Sequence, residues 1–137
     1  MNFYYPAYLL LQKIYSEQLH ALKNLTVYKS NDWEDEFGKK IQSSMVFEAI
    51  RFLELKKFLK VTNFRECSTC TITEEGKLAY KKFENSDDYT DYLKSTNKTT
   101  VTENNIQVFF DHKNKEQFEA KQMVKLNRAC SAFFSAL

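Results

Sequence analysis

Cys67-Ser68-Thr69-Cys70 places two thiols three residues apart, the spacing in this chain that comes nearest to a chemical motif. Such a pair can hold half a zinc site or close as a redox disulfide. Zinc would need two more ligands, and only His20, His112 and Cys130 remain, none of them paired at ligand spacing. The run is therefore read as a hairpin that contains two cysteines, one facing the core, and no metal is expected. Neither histidine has a serine, cysteine or carboxylate partner at a telling spacing. Asp87-Asp88 and Asp91 form an acidic cluster that could bind a cation. The same cluster equally suits a helix N-terminus behind Ser86. Phe3-Tyr4-Tyr5 with Tyr8 could stack bases, or pack onto the core or a dimer mate. No phosphate loop, paired catalytic carboxylates or nucleophile triad can be assembled, so the chain is read as not an enzyme, with no cofactor.

These residues sit in a chain of 137 residues, enough for one core with a modest appendage. Hydrophobic residues make up 43% and aromatics 15%, which places the chain with globular rather than disordered sequences. The longest uninterrupted apolar run is Ala7 to Leu11, too short to span a membrane. No charged segment precedes a cleavable apolar one, so no secretory signal is visible. Three cysteines, an odd count, argue for a reducing compartment rather than a disulfide framework. A cytoplasmic protein is expected. The net charge is +2 with no strongly basic block, a weak electrostatic footprint for a tight nucleic-acid binder.

Period and capping residues then position the candidates. Pro6 suits a first helical turn, and Tyr8, Leu11, Tyr15, Leu19 and Leu22 recur at spacings of three and four. Leu10 and Ile14 widen that stripe into a broad buried face. Leu25 to Tyr28 is too brief to assign. Asn31 or Asp32 can cap a second helix, with Trp33, Phe37 and Ile41 on one face. Ser43 or Ser44 can cap a third, with Val46, Ile50 and Leu53 inward. Phe58 to Phe64 and Thr69 to Ile72 are rich in β-formers and read as two strands joined by Arg65 to Ser68. Thr73 caps a helix that opens with Glu74 and Glu75 and turns Ala79, Tyr80 and Phe83 inward. Ser86 can cap a short helix through Leu93. Ser95 to Asn105 is a polar connector, and Ile106 to Phe110 has the look of a lone strand. From about Asn114 a final helix carries Met123, Leu126, Cys130, Phe133 and Leu137 at alternating spacings of three and four, an a/d seam.

The run from Ser44 to Val61, followed by Thr71-Ile72-Thr73-Glu74-Glu75-Gly76 through Phe83, resembles winged-helix transcription regulators, the broad group that includes the MarR and PadR repressors. The likeness covers residues 32 to 83. Leu53-Glu54 stands where that pattern ends its recognition helix, and Ile72-Thr73-Glu74-Glu75-Gly76 stands at the corner between wing and next helix. Lys57 departs from the glycine usual at the helix end. The resemblance implies a mainly α fold with a small β-hairpin, a winged helix-turn-helix with an added C-terminal helix. It implies a winged-helix domain over 1–85 and an extension over 86–137, with a dimerisation helix at 114–137.

Under that resemblance the chain is a small DNA-binding transcription regulator acting as a homodimer on double-stranded DNA. The contact residues would be Ser43, Ser44, Met45, Phe47, Glu48 and Arg51 on the third helix, with Phe52 also outward. Lys60 and Arg65 would join from the wing. Met123, Leu126, Cys130, Phe133 and Leu137 would form the dimer seam, or fold back over the domain. Base readout favours Arg, Lys, Asn and Gln, whereas this helix offers one arginine beside Glu48 and two phenylalanines. An apolar face of that kind suits the alternative, a winged-helix module that contacts a protein rather than DNA.

Overall fold

A computed structural model describes residues 3–19, 24–95 and 112–137. The chain is mainly helical with a small antiparallel sheet. It divides into two compact units, Met1–Lys82 and Phe83–Leu137. No helix among the described residues is long and apolar enough to cross a membrane. The expected strand at Ile106–Phe110, the connector from residue 96 onward, His20 and Leu22 lie outside the described residues.

The first unit is built on α1 (Tyr4–Leu19). Pro6 lies in its opening turn, where the missing N–H has no intrahelical partner to lose. Every residue from Tyr5 to Leu11 is buried, so this helix is wrapped on all sides over two turns. Tyr8 is fully buried and its ring lies nearly parallel to that of Tyr80, with centroids 6.3 Å apart.

Leu25 to Tyr28, unassigned from the sequence, forms β1 (Leu25–Tyr28). Its residues alternate between buried Leu25 and Val27 and exposed Thr26 and Tyr28. The next segment departs from expectation. Residues 32–41 do not form a helix; they form a hairpin of β2 (Trp33–Glu34) and β3 (Lys40–Ile41). The cause is local. Asp35 accepts hydrogen bonds from the amides of Phe37 and Lys39, each at 2.8 Å, and Gly38 adopts φ +76°. Asp at the start of a turn and a left-handed glycine three residues later close a tight reversal that competes directly with a helix.

α2 (Ser43–Leu55) buries Val46, Ala49, Ile50 and Leu53, the single stripe expected from their spacing. Neither Ser43 nor Ser44 is its cap: the helix starts at Ser43 and the cap position is Gln42, whose side chain makes no capping bond. Asp32 does that work from the base of the hairpin, accepting the Ser43 amide at 2.8 Å. That bond, and then Lys40 at 3.2 Å, hold the Asp32 carboxyl below its ordinary pKa.

At its far end α2 closes in a Schellman turn. Phe58 donates to the Leu53 carbonyl and Lys57 to the Glu54 carbonyl, both at 2.9 Å. Lys57 occupies the left-handed position with φ +65°. The strands β4 (Leu59–Asn63) and β5 (Cys67–Ile72) follow, and β5 lies centrally in an antiparallel sheet ordered β1-β5-β4. The pairing sets Leu25 opposite Cys70 and Leu59 opposite Ile72, so Ser68, Cys70 and Ile72 all face the core.

α3 (Glu74–Glu84) begins at the back of the α2 turn. The Thr73 hydroxyl donates to the Lys57 carbonyl at 2.7 Å and accepts the Gly76 amide at 3.0 Å. Its amide donates to the Phe58 carbonyl at 3.0 Å. Gly76 lies against that same carbonyl, and a methyl group there would approach it to 2.2 Å.

In the second unit Ser86 caps α4 (residues 87–95), accepting the Tyr89 amide at 3.3 Å on its hydroxyl. α5 runs from His112 to Ser135. Phe83, Tyr89, Phe133 and Phe134 form a ring cluster, with Phe83 4.8 Å from Tyr89 and 5.7 Å from Phe134. Leu126 and Cys130 are fully buried in the single chain.

Two substitutions test the α2–α3 corner. Helix propensity alone favours alanine over glycine, yet Gly76→Ala should destabilise by about 2 kcal/mol or more through the backbone clash. Lys57→Gly should stabilise by about 1 kcal/mol by relieving the left-handed lysine. Urea denaturation of the two variants reads both signs.

Candidate nucleic-acid interface

The exposed side of α2 follows from which residues the core takes. With Val46, Ala49, Ile50 and Leu53 inward, Ser44 and Arg51 are exposed, and Ser43, Met45, Phe47 and Glu48 are half-buried. Arg51 turns back along its own helix and pairs with Glu48 at 3.3 Å. A surface pair of this kind contributes little to stability, but it cancels the one positive charge on this face. Phe52 is also partly withdrawn. Its ring meets Phe3 at 5.3 Å and Tyr4 at 5.5 Å, and the Lys56 ammonium stands 6.0 Å over it. The aromatic chain start thus packs on α2, the second of the two uses its composition allowed.

The hairpin that precedes α2 adds negative charge at its N-terminal end. Asp32, Glu34, Asp35 and Glu36 are clustered there, and most are engaged structurally. Asp32 holds Ser43 and Lys40, Asp35 holds its own turn, and Glu36 accepts from Tyr8 at 3.4 Å. Between this hairpin and α1 lies an open cavity of about 580 Å³, where Lys13 stands 4.9 Å over the Trp33 ring.

Positive charge gathers instead at the other end of α2 and on the β4–β5 hairpin. Lys57, Lys60 and Arg65 are exposed and make no ion pair among the described residues. Lys60 and Arg65 thus stand exposed on the hairpin and Lys57 at the turn before it, whereas Arg51 is paired with Glu48.

The two hairpin cysteines do not form a joint site. Successive strand residues point to opposite faces, so Cys70 is buried while Cys67 faces outward, half-buried. Three strand steps separate their Cα atoms by about 10 Å, beyond the roughly 7 Å that a disulfide spans. Burial, and then the nearby charge of Glu54, push the Cys70 thiol up to about 12. No group of three or more His, Cys, Asp or Glu among the described residues could hold a metal ion. The side chain of His112 lies outside the described residues. Asp87, Asp88 and Asp91 are exposed on α4, and the last two line a hollow of about 280 Å³ shared with Lys125 and Arg128.

The proposed dimer residues separate into three groups. Leu126 and Cys130 are consumed inside the chain, Met123 and Phe133 are half-buried, and Leu137 is exposed. Two residues not singled out by the sequence stand out on the sheet: Tyr28 and Phe64 are 49% and 55% exposed. The alternation within β1 and β4 would have placed both on the outer face, had β1 been recognised as a strand.

No protein-family model matches the chain, nor does any curated protein or solved structure.

The contrast between the cysteines gives a direct prediction. At pH 8 a thiol with a pKa near 12 is about one part in ten thousand thiolate, so Cys70 should resist alkylation in the folded protein. Cys67, half-buried on the outer face, should be labelled far faster. Peptide mass spectrometry after timed iodoacetamide treatment distinguishes them, and equal labelling would contradict the inward placement of Cys70.

Proposed function

We propose that the chain is a DNA-binding regulator of winged-helix type, holding duplex DNA mainly by its phosphates. What carries this reading is the order α1, β1, α2, β4, β5, α3 about a sheet ordered β1-β5-β4, with Lys57, Lys60 and Arg65 on the α2 exit and hairpin, exposed and without an ion pair among the described residues. The short hairpin β2–β3 stands where a helix-turn-helix has its first helix. Base readout is slight on this account, because α2 presents Ser44 and a neutralised Arg51 where specific readers carry amides and free guanidinium groups. Phosphate contact fixes position without sequence, so affinity should be modest and broadly tolerant of sequence.

Dimerisation through α5 belongs to the same proposal, restricted to Met123, Phe133 and Leu137, because Leu126 and Cys130 are already buried. A second reading, a protein-contact module, is favoured by Leu55, which is 81% exposed at the end of α2.

Fluorescence anisotropy with a labelled duplex tests the first reading. Binding at low salt should weaken with a log–log salt slope of about −3, the value for three neutralised phosphates. Lys60→Glu combined with Arg65→Glu should abolish it, and Arg51→Glu should weaken it. No binding to any duplex at low salt removes the DNA reading in favour of the protein contact. Sedimentation equilibrium tests the dimer: twice 16.3 kDa is expected for the wild type, falling to 16.3 kDa for Leu137→Glu. A wild-type monomer at high concentration removes that part of the proposal.

A further inference from the structure

The sheet has a second face. On the side away from the core, the register sets Tyr28 opposite Cys67, and the Phe64 amide donates to the Cys67 carbonyl at 2.8 Å. Tyr28, Cys67 and Phe64 therefore form one row across three strands. The next row is Thr26, Thr69 and Thr62, and beyond it Lys60 lies opposite Thr71. Strands two apart in a sheet lie about 10 Å from each other, so the two aromatic residues are set roughly that far apart. Neither ring meets another aromatic ring among the described residues. Exposed Lys29 follows Tyr28 in sequence and exposed Arg65 follows Phe64.

Large rings left at the surface need an explanation more than scattered aliphatic residues do. Two separated aromatic platforms, a hydroxyl row beneath them and flanking cations are the elements by which proteins hold unpaired bases and their backbone. Lys60 stands on this face, and Lys29 and Arg65 are exposed at its edge beside one carboxylate, Glu66, so the charge around the sheet favours a polyanion.

We propose that this outer sheet face binds a single nucleic-acid strand, with bases stacked on Tyr28 and Phe64 and phosphates held by Lys29, Lys60 and Arg65. The surface is distinct from the exposed side of α2. It shares Lys60 and Arg65 with the duplex reading, so the rings, not the cations, separate the two.

The test uses the full chain and fluorescein-labelled oligo(dT) and oligo(U) of twelve nucleotides, titrated at low salt beside the labelled duplex. Tyr28→Ala and Phe64→Ala should each weaken single-strand binding about tenfold, the scale of one lost stacking contact. Tyr28→Phe, which keeps the ring, should bind as the wild type does. Both alanine variants should retain the wild-type melting temperature, since both positions are exposed, and should leave duplex binding within about twofold. Arg51→Glu should leave single-strand binding unchanged, so this proposal and the duplex reading fail independently. Absence of oligo(dT) and oligo(U) binding, or binding unmoved by either alanine variant, overturns the proposal. So does self-association abolished by Phe64→Ala without oligonucleotide binding, which would assign the face to protein contact.

Discussion

The first unit depends on the joint where α2 ends and α3 begins. The α2 exit exposes carbonyls that need donors, and the α3 entry exposes amides that need acceptors. Thr73 serves both, giving its hydroxyl proton to Lys57 and its amide proton to Phe58 while receiving the Gly76 amide. The negative end of one helix thereby meets the positive end of another, with Glu74 and Glu75 in the first turn of α3. Close approach is possible only because residue 76 has no side chain. Since β4 and β5 run out from this joint and return to it, the hairpin inherits its direction from the same bonds. A left-handed lysine is tolerated at the turn because the surrounding bonds determine the conformation.

A second constraint acts at the other end of α2. The hairpin β2–β3 is only two residues deep on each strand, too small to persist alone. It is held by Tyr5 and Tyr8 of α1, which bond to Glu36, and by Lys13 over Trp33. In return it delivers Asp32 to the start of α2, a cap that Ser43 and Ser44 do not provide. The acidic residues before α2 are thus largely architectural. Their charge still makes the surface at that end of α2 negative. Lys57, Lys60 and Arg65, which make no ion pair among the described residues, lie at the opposite end and on the hairpin.

Much of the core was legible from spacing. The inward stripe of α2, the two strands after it and the Thr73 corner depend on neighbours within a few residues, where period and capping are strong signals. Residues 32–41 carried two conflicting local signals, an apolar period of four and an Asp-x-x-Gly turn. The turn prevailed because its side-chain bonds satisfy the backbone at once, whereas the helix would have needed a long face to bury. The α5 seam had the right spacing, but spacing cannot say whether a stripe meets its own chain or another copy.

By itself the sequence determined which residues alternate or recur on one face and where Thr73 and Gly76 must join two helices. Only the tertiary structure decided that Leu25–Tyr28 is a strand, because four residues become one by pairing with β5 far along the chain. Only there does Asp32 become the cap of a helix eleven residues on. The same holds for Cys67 and Cys70: their spacing is visible in the sequence, but a strand sends them to opposite faces, and burial then raises one thiol while the other stays at the surface.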